Sequence, residues 1–132
     1  MARAPFAFTE RVPITSYRDL EAWQVGMEFV VCVYALSRQF PREEQYGLTS
    51  QLRRAAVGVP SNISEGHRQS SKVYLRFVTI ALGSLAEAET QIELARRLNL
   101  APLDEINKSA ALATSLARLL HGLRRALEGR CS

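Results

Sequence analysis

"GHRQSSK", from Gly66 to Lys72, holds the densest set of reactive residue types in the chain. It places a histidine, an arginine, two serines and a lysine within one short segment. It lacks the GxxxxGK[ST] order of a nucleotide-binding P-loop. It does set Arg68 and Lys72 beside the start of a following helix, whose free N–H groups attract anions, so it could hold one backbone phosphate. Helix capping by Ser70 or Ser71 accounts for the same residues and is the simpler reading. The two histidines, His67 and His121, lie far apart and read as partly exposed polar residues. No HExxH, CxxC or GxSxG occurs, and no glutamate has a histidine three residues later, as a di-metal helical site needs. Ser61, Ser64, Ser70 and Ser71 suit caps and a bend before they suit nucleophiles. The expectation is a non-enzymatic protein with no catalytic residues, no metal and no cofactor.

Charge placement gives a better lead. The formal charge is +4, a mild excess that permits an anionic partner without demanding one. Between Arg53 and Arg76 there are five cations, Arg53, Arg54, Arg68, Lys72 and Arg76, against one acid, Glu65. Between Glu87 and Glu105 there are five acids and two arginines. A clustered basic surface is the footprint of nucleic-acid binding, though solvated helix faces also look like this. Apart from Tyr74, no aromatic residue interleaves with these cations, so contacts to phosphates are expected rather than base stacking.

The elements that must carry these residues are helical. The chain has 132 residues, enough for one domain with a core; apolar residues make up 47% and charged ones 23%. Long runs of Ala, Leu, Arg, Glu and Gln favour helix. Residues 1–15 read as an irregular arm with no secretory signal, and residues 16–130 as one unit. No stretch approaches the length of a membrane span. Cys32 and Cys131 form no motif, which fits a reducing cytoplasm.

Helix 1 is expected to start at Ser16 in "SYRD" and to stop before Pro41. It carries two apolar stripes. Leu20, Trp23, Met27, Val30, Val31 and Tyr34 form one; Val25, Phe29, Val33, Leu36 and Phe40 form the other, nearly opposite. One bundle gives each helix one inward side, so the second stripe is expected to be the interface of a homo-oligomer. Helix 2 starts at Glu43 or only at Tyr46-Gly47. Its stripe, Leu48, Leu52, Ala55, Ala56, Val59 and Ile63, keeps phase across Pro60, which favours one kinked helix. The rival is a new start at Asn62, and Gly66 suits a helix end. Helix 3 carries a heptad seam: Tyr74, Val78, Ala81, Leu85, Ala88, Ile92 and Ala95. Helix 4 begins at Asp104 and lines its core face with Ile106, Ala113, Leu116, Leu120, Leu123 and Leu127. Four helices with short links imply an antiparallel up-and-down four-helix bundle.

From Asp19 to Leu100 the sequence resembles the bacterial four-helix-bundle proteins encoded in 23S ribosomal RNA intervening sequences. The blocks "FPREEQYGLTSQLRRAA", "PSNISEG" and "YLRFVTIALGSLAEAETQ" carry the resemblance, in order and spacing. Gly58 departs from it, standing where the family usually has a serine. The resemblance implies an up-and-down four-helix bundle assembled as a homopentamer, with no established enzymatic activity. A relative of this fold, the accessory protein of diversity-generating retroelements, engages nucleic acid and reverse transcriptase through a basic surface. Carried over, that marks Arg53, Arg54, Arg68, Lys72 and Arg76 as candidate contacts to RNA or a ribonucleoprotein. The alternative is a protein-interaction scaffold with no nucleic-acid role.

Overall fold

The structure is a computed structural model that describes residues 16–131. The arm expected over residues 1–15 lies outside them. The described residues form four helices: α1 (Glu21–Ser37), α2 (Leu48–His67), α3 (Ser71–Arg97) and α4 (Leu103–Cys131), with no strand among them. Each helix packs on the next, and α4 returns to α1. Facing residues include Gly26 with Pro60 and Ser37 with Arg53. Gly58 meets Ser84, Gly66 meets Phe77, and Cys32 meets Ser109.

Ser16 does cap, but it caps a single 3-10 turn, Tyr17–Asp19, rather than α1. Its hydroxyl accepts from the Arg18 amide, and Asp19 returns the bond to the Ser16 amide, both at 3.2 Å. The chain then extends at Leu20, and the Gln24 side chain donates to the Arg18 carbonyl at 2.9 Å, tying the turn to α1. Pro41, its φ held at −55° by the ring, has ψ 146°, and a second 3-10 turn follows at Arg42–Glu44. Of the two starts open for helix 2, the later is found. Glu44 supplies the missing cap, its carboxylate accepting from the Leu48 amide at 3.2 Å.

α2 runs through Pro60 without a break. The Asn62 amide donates to the Gly58 carbonyl at 2.6 Å, and Ser64 to the Ser61 carbonyl at 3.0 Å. The Pro60 ring is buried against α1, where a Cβ built on Gly26 would lie 3.4 Å from the Pro60 Cβ. α2 ends one residue past Gly66, at His67, and Gly66 does not take the left-handed conformation of a capping glycine. It lies inside α2, pressed on α3 so closely that a Cβ would come within 2.6 Å of the Phe77 Cβ. A serine at Gly58 would likewise start from a Cβ 3.0 Å from the Ser84 hydroxyl. Close approach, rather than looseness before the proline, accounts for that glycine.

The seam of α3 is as its spacing predicts, with all seven residues buried. Ser70 caps the helix, accepting from the Val73 amide. At the other end Asn99 takes the left-handed conformation, φ 55°, and the Leu100 amide reaches the Ala95 carbonyl at 3.0 Å. On α4 five of the six expected core residues are buried; Leu123 is half-buried. Ser109, not foreseen, is fully buried, and its hydroxyl pairs with the Cys32 thiol at 3.2 Å.

The two stripes of α1 are assigned the wrong way round by the sequence. Val25, Phe29, Val33, Leu36 and Phe40 are not an oligomer interface. All five are buried in the chain's own core, and Phe29, Val33 and Leu36 are 0% exposed. The other stripe is the outward one: Met27 is 43% and Val31 69% exposed. Trp23, Val30 and Leu20 flank the core half-buried. α1 packs on both α2 and α4, so its buried arc centres between them. Hydrophobicity nearly matched on both sides left that phase undetermined in one dimension.

Candidate nucleic-acid interface

The five cations picked from the sequence fall into three settings. Arg53 is half-buried and already engaged. Its Nε donates to Ser37 Oγ at 2.8 Å, and its guanidinium carbon lies 4.5 Å from the centroid of the Tyr34 ring. Ser37, itself 2% exposed, passes a bond on to the Tyr34 carbonyl at 3.3 Å. Arg53 therefore ties α2 to α1.

Arg54 is exposed, but it lines a groove between α2 and α3 with Gln51, Ser84, Gln91 and the acid Glu87. Arg54 is fourteen positions from Arg68 along helix and turn. At helical rise that is about 20 Å. It does not belong to the same patch.

Arg68, Lys72 and Arg76 are exposed around the α2–α3 turn and the first turns of α3. Lys72 and Arg76 are four apart on one helix and share a face. The fold adds a cation that the sequence reading missed. Arg18 lies 5.6 Å from the centroid of the Tyr17 ring, and Arg68 lies 5.7 Å from the same centroid. The Arg18 guanidinium, by hydrogen bonding and charge, and then Arg68 hold the Tyr17 phenol below its ordinary pKa. Trp23 meets the ring edge-on at 5.3 Å. An aromatic ring does stand among the cations, contrary to the expectation from spacing. "SYRD" read as a cap gave no sign of this, because Arg68 reaches Tyr17 only through tertiary packing.

One acid of the acidic half is paired within its own helix. Glu93 bonds Arg96 and Arg97, each at 3.1 Å, and the Arg97 and Arg96 bonds keep its carboxyl below the usual range. Arg96 also bonds Asn107. Burial pushes the neighbouring Glu89 carboxyl upward against a smaller pull from His121. Both histidines have structural partners: His67 meets Tyr74 edge-on at 5.6 Å, and His121 Nδ1 lies 3.0 Å from Arg124 Nη2. Among the described residues no three His, Cys, Asp or Glu side chains come together as metal ligands.

A second surface lies opposite in character. Between α1 and α4 runs an apolar groove of about 800 Å³, lined by Met27, Val31, Ala35, Ala111 and Leu112. Glu28, Glu105 and Lys108 stand at its margin. A smaller hollow beside it shares Glu28, Leu112 and Ser115. No helix among the described residues is long and apolar enough to cross a membrane.

Four helices around one apolar core, with exposed cations at one corner and an apolar groove between α1 and α4, define an all-α protein. Residues 18–122 match the 23S rRNA-intervening sequence protein family, and the chain belongs to that family. Its fold is similar to a crystal structure of a protein of unknown function from the S23 ribosomal protein family of Bacteroides thetaiotaomicron. The two share 24% identity and a TM-score of 0.71, over 78% of this chain and 97% of that one. No curated protein matches the chain.

Proposed function

We propose that this protein is a non-enzymatic, self-associating helical bundle that binds RNA or a ribonucleoprotein through phosphate contacts at its cationic corner. The observation that carries the reading is the convergence of Arg18 and Arg68 on Tyr17, with Lys72 and Arg76 exposed on the first turns of α3 that follow Arg68 in the chain. Arg53 drops out of the contact set, and Arg54 is at most peripheral. The partners already held by His67 and His121 agree with a non-enzymatic role.

The bundle is antiparallel and up-and-down. In support, Gly26 faces Pro60 while Ser37 faces Arg53, so residue numbers rise along α1 as they fall along α2. Pro60 bends α2, having no N–H for the Ala56 carbonyl. Self-association, pentameric as the resemblance implies, uses the Met27 and Val31 face of α1. Exposed apolar side chains beside a groove support that choice. Two free cysteines support a cytoplasmic setting.

A salt series tests the RNA reading. The logarithm of affinity for a structured RNA should fall linearly and steeply with the logarithm of salt concentration. Absence of binding by the intact protein at low salt would remove it. A second reading, a scaffold with no nucleic-acid role, is favoured by the apolar groove alone; it requires assembly that nuclease treatment leaves unchanged and no affinity for RNA.

A further inference from the structure

Two guanidiniums and one phenol meet at the start of α1. Arg18 and Arg68 lie 5.6 and 5.7 Å from the Tyr17 centroid. Both are exposed, so a flat ligand would displace solvent-facing side chains rather than buried ones. Trp23 steadies the ring at its edge. Beside it is a hollow of about 310 Å³, lined by Tyr17, Ser64, Glu65, Arg68 and Gln69. That size is at the small end for ligand sites.

The groups lining the hollow, and Arg18, which neighbours Tyr17, differ in kind. Arg18 and Arg68 are donors with fixed positive charge, suited to a phosphate. Ser64 spends its proton on the Ser61 carbonyl, which leaves its oxygen as an acceptor. Glu65 accepts only, and Gln69 both donates and accepts, a combination that can meet the edge of a nucleobase. The lowered pKa of Tyr17 agrees with guanidiniums close to its hydroxyl.

We propose that this corner takes one unpaired nucleotide of an RNA chain. Its base stacks on the Tyr17 ring, Arg18 and Arg68 hold the phosphate, and Glu65 and Gln69 meet the base edge. The inference rests on the RNA reading above and narrows it, because a base inside a duplex cannot stack on a protein ring. Phosphates alone would not distinguish one strand from two.

The test compares a uridine-rich RNA strand of about twelve nucleotides with the same strand annealed to its complement. Binding is followed by anisotropy of labelled RNA and by fluorescence of Trp23, the one tryptophan in the chain. The single strand should bind about tenfold more tightly than the duplex, the scale of one base–aromatic stack. Its binding should change the Trp23 signal. Tyr17→Leu should abolish both the preference and the signal change, and Tyr17→Phe should keep them. Arg76→Gln should weaken both RNA forms equally. Because Tyr17→Leu also disturbs the contact with Trp23, Arg68→Gln provides a second measure: it should weaken the single strand more than the duplex. Equal affinity of the intact protein for the two forms overturns the corner proposal while RNA binding stands. So does an equal loss on both forms in Arg68→Gln. Binding to neither form removes both readings.

Discussion

The Arg53 guanidinium lies over the Tyr34 ring, 4.5 Å from its centroid, while its Nε donates to Ser37. A cation that looks available in the sequence is thus a strut between two helices. Its neighbour Arg54 is free of that duty and exposed. The contrast separates structural from binding roles within one "RR" pair.

Arg53→Ala should therefore lower stability by about 1–2 kcal/mol, through loss of a partly desolvated cation–π contact and a charged hydrogen bond. Arg53→Lys should recover only part of it, because an ammonium lacks the planar fork. Neither should alter the salt dependence of RNA binding. Arg68→Gln should do the reverse, leaving the urea midpoint in place and reducing the salt slope by about one. Urea titration and a salt series, run on both variants, check the pair.

On α1 the prediction concerns faces. Val31→Glu puts a charge on a residue that is 69% exposed, so the fold should persist and the assembly should dissociate. Phe29→Ala hollows a fully buried site and should cost about 3–5 kcal/mol whatever the assembly does. Light scattering reads the first and thermal unfolding the second. A Val31→Glu protein of unchanged mass would contradict the interface.

Two glycines should respond in opposite senses to the same change. At Gly66 an added methyl would lie 2.6 Å from the Phe77 Cβ and 3.0 Å from the Tyr74 ring. Gly66→Ala should destabilise by about 1–3 kcal/mol, the usual scale of overpacking. Gly83 has nothing within 4 Å of the same position. Gly83→Ala should stabilise by about 0.5–1 kcal/mol, since alanine loses less backbone freedom in a helix. Denaturant midpoints for the two variants should move apart.

Burial pushes the Tyr74 phenol up to about 12, slightly opposed by the charge of Arg130. The unfolded chain ionises near pH 10 and so holds fewer protons than the folded one between about pH 10 and pH 12. Stability contributed by the protonated phenol is intact below pH 10 and declines as pH rises through that window. The Tyr74 hydroxyl has no hydrogen-bond partner among the described residues. Tyr74→Phe should be neutral at pH 7, or stabilising by up to about 1 kcal/mol, and should flatten the alkaline decline. Unfolding midpoints measured across that pH range test both statements.

Much of the fold was legible because helical period repeats over many residues. The α3 seam from Tyr74 to Ala95 could be read residue by residue, since seven positions in strict heptad order leave one solution. α1 was not legible in the same way. Trp23, Met27 and Val31 balance Val25, Phe29 and Val33 in hydrophobicity, and only the placement of α2 and α4 decides which side is inward. Gly66 shows another limit, because a glycine that ends a helix and a glycine that admits a neighbouring helix look alike in one chain. Arg68, Lys72 and Arg76 could be found from charge spacing. Tyr17 and Arg18 could not, because their nearness to Arg68 spans some fifty residues of sequence and is created by folding.

The seat of Pro60 against Gly26 also bears on longitudinal alignment. Helices with smooth apolar faces can slide past one another by one turn, about 5.4 Å, with little penalty. A methyl at Gly26 would still make only ordinary contact, 3.4 Å from the Pro60 Cβ, so a slip that brought Ala22 to the ring would be tolerated. A slip the other way would bring the branched side chain of Val30 against the ring, and in that direction the proline acts as a detent.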